Sequence, residues 1–572
     1  MDDPRPLPET IKAKRSDPVY MAHAYLTKVP LPAILPFIEA FSSPGDTVAD
    51  PFAGSGMTGV AATLLGRNAR LFDVSVLGKH IGSNYVNLVE PGQLREAAAR
   101  AVRATGVRLG NVYAVECSAC GSTGELAKTV WSAMVQCDTC TRPVNFYHAL
   151  EAAEWDKSGM RCPHCEGFVT SRSRKLDEEP VVDWIRCSCS DTQLEQGWSQ
   201  PPVSLPATEI DWPDLEIGEA RQMFIASALG RHGLTSTASF FSRRNVSVLG
   251  ALKFEIDAIT DRAIKQKLLF AFTAILTRAS KRYQWSRKRP LNAANANYYV
   301  APVFYEWNVL DLFSRKVEAV IRSDDWIRTH RDGGPLFRNG SAGEVTYDIA
   351  SADDLPLPDN SVDYVFTDPP FGSNIFYSDM NLFHEAWLGS TTDPAAEAVV
   401  DRVRTDTHRS AARYEQLLTD ALSECRRILK DAGSISMIFG NSAGAMWQLV
   451  QRAISEAGLQ VVPEFTAVLD KGQRSVKGLA SGFENVATLD LVLTMKPGEP
   501  RRHHVVPRDS EISSAVDELL TEPGVTPSHL YLALLRRGFL EGWDLGTLDL
   551  RTITDHIRAR ERAIDPRTSA VS

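Results

Sequence analysis

Thr47-Val48-Ala49-Asp50-Pro51-Phe52-Ala53-Gly54-Ser55-Gly56 sets a short apolar run against a glycine-rich turn, and an Ala/Leu-rich helix follows over Met57 to Leu65. Glycines in such a turn let the backbone reverse tightly and approach a ligand at the carboxyl end of a sheet. Upstream, Leu31 to Phe41 has a helical pattern that stops at the turn Ser43-Pro44-Gly45-Asp46. Downstream, a second strand, Ala69 to Phe72, ends at Asp73. An acid some twenty residues beyond the first strand is placed to accept hydrogen bonds from ribose hydroxyls. Strand, loop, helix and strand in this order open an α/β unit with a parallel sheet. A dinucleotide site or a plain structural turn would explain the glycines equally well on their own.

A second motif narrows the choice. The apolar run Val362 to Thr367 leads into Asp368-Pro369-Pro370-Phe371, which puts the tetrapeptide at the same end of the sheet as the glycine loop. The prolines fix φ and hold this backbone rigid. An exocyclic amino group on a purine or cytosine is a poor nucleophile, because its lone pair is delocalised into the ring. A carboxylate from Asp368 and the carbonyl of Pro369, accepting both N–H protons, would localise that pair, while Phe371 would stack on a base taken out of the duplex. The competing reading is a proline turn with Asp368 as a cap.

Together these residues resemble the amino-directed DNA methyltransferases that form N6-methyladenine or N4-methylcytosine. The resemblance continues through Thr27-Lys28-Val29-Pro30, Tyr377-Ser378-Asp379-Met380-Asn381-Leu382, Trp387-Leu388 and Phe439-Gly440-Asn441. It implies a Rossmann-like fold dependent on S-adenosylmethionine (AdoMet), with inserted zinc-ribbon and helical regions. Lys28, Asp50, Phe52, Gly54, Gly56 and Asp73 are then the cofactor-binding residues, and the Lys28 segment helps hold the methionine end. Asp368, Pro369, Pro370 and Phe371 are the implied catalytic residues. In this class an acidic first residue of the tetrapeptide favours adenine, so the expected activity is adenine-N6 methylation of DNA after base flipping. Phe371 stands where Tyr is commoner. Ser351-Ala352-Asp353-Asp354 lies near an expected acidic motif without matching it cleanly, which leaves the contact to the AdoMet adenine unassigned. The chain is similar to a bacterial subgroup with zinc-ribbon insertions, some associated with restriction or defence systems, which implies partner proteins of that kind. The resemblance covers the two α/β halves, the middle loosely and the C-terminal part hardly at all.

Eight of the nine cysteines form close pairs, Cys117/Cys120, Cys137/Cys140, Cys162/Cys165 and Cys187/Cys189. Two such knuckles make a tetrahedral four-cysteine site, so the expectation is two structural zinc ions, closed to chemistry. Sequential pairing is the first expectation, and a crossed arrangement fits the spacing equally well. A redox role for one C-x-x-C is the rival, weakened by four pairs in one stretch. Cys425 follows a helical pattern and reads as core.

With 572 residues the chain exceeds one ordinary domain, and 44% hydrophobic residues suffice for a sizeable core. The expected organisation is an AdoMet-binding half over 1–104, a zinc-ribbon insertion over 105–205, a helical and basic target-recognition region over 206–340, a catalytic half over 341–500 and a helical appendix over 501–572. The net charge of −9 excludes a generally basic nucleic-acid coat protein, so DNA contact must be local. The stretch Lys281 to Arg289 and the zinc ribbons are the expected contacts, the former combining cations with Tyr283 and Trp285. Arg243-Arg244 and Arg172, Arg174 and Lys175 add charge. His80, His164 and Arg501 to His504 read as structural or solvent-exposed. The polar start and the absence of a long apolar run point to no membrane span and a cytoplasmic location. Cytosine N4 and guanine N2 in RNA are the nearest alternative targets. A zinc-ribbon DNA-binding subunit with an inactive methyltransferase fold, or a small-molecule methyltransferase, accounts for fewer of the motifs.

Overall fold

The computed structural model describes residues 7–13, 15–198, 210–287, 298–332, 343–372, 375–400, 410–470, 489–499, 505–519, 527–551 and 553–554. Two compact units result, one from Met1–Val86, Asp325–Ser378 and Thr392–Ser572, the other from Asn87–Asp324 and Asp379–Thr391.

The first unit is built on a nine-stranded, mostly parallel sheet, as the α/β expectation required. Its central neighbours are the glycine-loop strand Thr47–Asp50 and the tetrapeptide strand Val362–Thr367, with Val48 opposite Tyr364. From the first, the sheet continues outward to Asn68–Asp73 and then Val345–Ile349. From the second it continues the other way, to Leu429–Phe439, the antiparallel Asp490–Pro497, Ala467–Asp470 and Thr10–Lys12. Strand order therefore reverses between the two motif-bearing strands, which opens a crevice at their carboxyl ends. Val48, Ala49, Val362 and Val365 are fully buried, as a parallel sheet covered on both faces requires.

Helix Leu31–Phe41 covers one face, setting Phe37 on Phe366 and Phe41 on Tyr364. On the other face Val365, Ile435 and Met437 share a core with Leu418, Leu422 and Cys425 of helix Ala411–Ile428 and with Trp447 and Val450 of helix Gly444–Glu456. Helices Asp509–Leu519 and Pro527–Glu541 contribute to that same core. Phe539 meets Trp447 at 6.4 Å, and Gln451 binds the Trp543 carbonyl and the Leu545 amide. The C-terminal helices thus belong to the core packing of the first unit.

The second unit carries a six-stranded sheet around one long strand, Thr123–Gln136. One edge pairs antiparallel with Lys175–Arg186, and the other receives Ala114–Glu116, Val303–Trp307 and Pro143–Asn145 in turn. Val303–Trp307 comes from the region read as helical and completes the ribbon sheet instead. Helices Pro91–Leu109, Arg243–Asp257 and Arg262–Ala279 pack in this unit. No helix among the described residues is long and apolar enough to cross a membrane.

Candidate active site and metal centres

Gly54 and Gly56 both adopt positive φ, +48° and +75°, and Gly56 caps the helix Met57–Leu64. A Cβ on Gly56 would lie 2.5 Å from the Cα of Gly82, in helix Val76–Val86, and one on Gly78 would lie 2.6 Å from the Gly54 carbonyl oxygen. Four glycines thus let a helix press directly onto the turn, and Gly78 and Gly82 carry no signal of this in the sequence alone. Tyr347 closes the arrangement by donating to the Gly54 carbonyl at 2.7 Å. Gly56→Ala is expected to lower stability by about 2–6 kcal/mol, since left-handed strain and overpacking each cost about 1–3 kcal/mol. Gly45, at φ +91° with open space around it, should lose only about 1 kcal/mol on the same change. Urea midpoints of the two variants measured side by side check the difference.

Asp50 ties the two motifs together. One carboxylate oxygen accepts from the Phe52 amide at 3.1 Å and the Thr367 hydroxyl at 2.9 Å, and the other accepts from the Thr58 hydroxyl at 2.6 Å. Burial pushes its carboxyl up to about 7 against these bonds. Asp73 is also raised by burial, and it accepts the amides of Gly54 and Ser75 at 2.8 Å each and that of Val74. A carboxylate has about four acceptor sites, so Asp73 keeps capacity for one hydroxyl.

These residues line a cleft of about 1040 Å³ at the crevice between the two central strands. Lys28, Asp50, Phe52, Gly54, Asp73, Asp368 and Pro370 all face it, as do Asp353, Tyr377 and Glu397. Gly56 lies behind the lining and shapes the turn. The Lys28 ammonium spends its three donors on the Tyr20 and His23 carbonyls and the Tyr85 hydroxyl, at 2.6–2.9 Å. What it offers the cleft is a buried charge and a methylene wall. Thr27 beside it sits at φ +54°, an unusual conformation for a β-branched residue. Its hydroxyl meets that of Tyr377 at 2.9 Å, and Tyr377 is driven up by burial, with Asp368 adding to the shift. Glu397, buried, accepts the Ser378 hydroxyl at 2.7 Å and the amides of Tyr377 and Ser378, which caps the helix Tyr377–Glu385.

In the tetrapeptide, the Pro370 carbonyl accepts from Tyr414 at 2.5 Å and the Phe371 carbonyl from Asn441 at 3.0 Å. The Pro369 carbonyl has no hydrogen-bond partner among the described residues. Phe371 is placed differently from the sequence expectation. Its ring packs on Phe439 at 5.1 Å, backed by Trp447, and lies outside the cleft lining.

The cysteines gather into Cys117, Cys120, Cys187 and Cys189, and Cys137, Cys140, Cys162 and Cys165. Sequential pairing is therefore corrected to a nested one. The reason is the ribbon: Glu125 pairs with Arg186 and Val135 with Lys175, so the start of one long strand lies beside the end of the other. Sulfur–sulfur distances of 3.5–3.7 Å exclude disulfides, which need about 2.05 Å. They fit the edge of about 3.8 Å that bonds of about 2.3 Å give a tetrahedral thiolate site.

The basic stretch is also corrected in part. Lys281 pairs with Glu178 at 2.8 Å, and Arg282 is 2% exposed, its guanidinium over the Tyr298 and Phe383 rings. Glu178 neutralises the first, and burial withdraws the second from solvent. Trp285 packs against Tyr147 and Trp155, and only Arg287 is exposed among the described residues of the stretch. Lys288, Arg289 and Arg501 to His504 lie outside the described residues.

Comparison with known proteins adds a family match over residues 8–91, to a model described as DNA methylase. That segment holds Lys28, the glycine loop and Asp73 and ends before the tetrapeptide. No curated protein matches the chain. A solved complex between the Haloferax volcanii Trm112 methyltransferase activator and a methyltransferase aligns at 14% identity, over 29% of this chain and 66% of that chain, with a TM-score of 0.15.

Proposed function

We propose that the cleft binds AdoMet and that the protein methylates an exocyclic amino group of a DNA base, adenine N6 first. The observation that carries this reading is the convergence of the glycine loop and Asp368 on one cleft, where strand order reverses. The DNA methylase match over residues 8–91 supports it. The cleft suits the cofactor: Asp73 retains an acceptor for a ribose hydroxyl, Phe52, Val29 and Ile34 give apolar walls, and Asp353 and Glu397 favour a cation. AdoMet, when bound, supplies a methyl group on a positively charged sulfur.

The chain's own work is positioning. Asp368 and the Pro369 carbonyl accept the two amino N–H bonds and turn the nitrogen lone pair toward the cleft. The amino nitrogen takes the methyl group as the carbon–sulfur bond breaks, which leaves S-adenosylhomocysteine, and the nitrogen then releases one proton to water. Asp50, through Thr367, holds the tetrapeptide strand in register with the loop that seats the donor. The two four-cysteine sets hold structural zinc.

The test is incubation of the zinc-loaded chain with isotopically labelled AdoMet and unmethylated bacterial DNA, with total RNA in parallel, followed by nucleoside analysis. Label in N6-methyladenine is expected. Label in N4-methylcytosine or in N2-methylguanine of RNA moves the target and keeps the chemistry. No label in any pool overturns the reading.

A further inference from the structure

Several cations of the second unit are paired with carboxylates. Arg244 meets Glu306 at 2.6 Å, Arg108 meets Glu255 at 2.9 Å, Lys267 meets Asp324 at 2.8 Å and Arg95 meets Glu318 at 2.8 Å. A cluster of others is held on aromatic rings around Trp307. The Lys128 ammonium lies 4.4 Å from the Trp184 ring centre and 5.0 Å from those of Tyr305 and Trp307. Arg278 sits over Tyr283 and Trp307 at 4.9 and 5.1 Å, and Arg315 lies 5.8 Å from Trp307. One indole thus serves as the floor for three cations. A ring face fixes a cation in place without cancelling its charge.

The register explains the platform. Lys128 pairs across the sheet with both Trp184 and Trp307, so charge and rings share one face. Helix Val309–Asp332 adds Arg315, Lys316 and Arg322. Arg315 and Arg322, seven residues apart, lie on one side of that helix about 10.5 Å from each other. Lys128 and Arg278 have no salt bridge among the described residues. The acids at hand are Asp311, shared between Arg315 and Arg186, and Glu195, which acts on Lys128 from farther off. Burial, together with Arg278 and Arg322, pushes Lys316 down to about 8, and burial also lowers Lys128, so positive charge is crowded here.

We infer that Lys128, Arg278, Arg315 and Arg322 form a phosphate-binding face for the backbone of DNA, in place of Lys281 and Arg282. The span exceeds a single phosphate, so a polyanion fits where a small anion does not. This rests on the proposed base-methylating function for the choice of DNA.

The test compares the zinc-loaded full chain with the triple variant Lys128→Gln, Arg278→Gln, Arg322→Gln in titrations of fluorescent duplex DNA from about 50 to 300 mM salt. Each phosphate contact contributes about 0.9 to the slope of log affinity against log salt, so the triple variant should lose about 2.7 and bind at least about tenfold more weakly. Lys128→Arg, Arg278→Lys, Arg322→Lys should restore the slope, and Arg100→Gln, an exposed cation of the same unit paired with Glu96, should leave it unchanged. Zinc content and AdoMet binding of each variant verify that it is folded. An unchanged slope in a folded triple variant overturns the inference while leaving methylation intact. A loss confined to RNA also overturns it. A wild-type chain that neither binds nor methylates DNA sinks the proposed function instead.

Discussion

Asp368→Ala is expected to lower methyl transfer by at least about 10²–10³-fold with AdoMet affinity nearly unchanged. The scale is that of removing one preorganised group that interacts with charge developing in a transition state. The geometry supports the split. Asp368 faces the cleft, while the hydrogen bonds of the turn that would seat the donor run through Asp50, Asp73 and Tyr347. Asp368→Asn keeps one acceptor oxygen and the side-chain shape, so it should fall between wild type and Ala. Single-turnover rates with labelled AdoMet, beside equilibrium binding of the product S-adenosylhomocysteine, separate the two effects. A variant that loses cofactor binding and turnover together would make Asp368 a structural cap.

Metal removal should be the larger effect on the fold. Structural zinc in small domains contributes about 10–16 kcal/mol of apparent binding free energy at neutral pH, all of it folding free energy when no site preexists. Both four-cysteine sets close the ends of the Thr123–Gln136 and Lys175–Arg186 ribbon, so a strong chelator should abolish most of the strand signal of the second unit. Elemental analysis should give two zinc ions per chain. The nested pairing makes a sharper prediction. Replacing Cys137, Cys140, Cys162 and Cys165 together by Ser should remove one ion and leave the other, because all four belong to one site. Under sequential pairing the same variant would lose both.

Much of the candidate site is legible in the sequence because it is local. Asp50 to Gly56 and Asp368 to Phe371 each lie on one turn after one strand, and chain-adjacent residues carry their meaning. What escaped is held by distant partners. Tyr347 reaches Gly54 across 293 residues and Thr367 reaches Asp50 across 317. Gly78 and Gly82 look like ordinary helix residues until the loop they touch is in view. Thr10–Lys12 and Leu459–Val461 are strands of three residues, too short for an alternating pattern, and exist because the sheet offers an edge. Arg282 and Lys281 looked like surface charge, yet rings and Glu178 take them up. The order of the cysteine pairs follows from strand register, which spacing does not encode.

The sheet of the first unit is also a statement about synthesis. Asn68–Asp73 and its neighbour Val345–Ile349 are separated by roughly 270 residues, and the glycine-loop strand pairs with Val362–Thr367, made later still. At about 5–20 residues per second, the early strands wait about 15–55 s for their partners. The whole main segment of the second unit, Asn87–Asp324, is made in that interval. Val48 and Ala49 stand on an open sheet edge throughout that interval, so chaperone demand should be greatest before Val362–Thr367 is made.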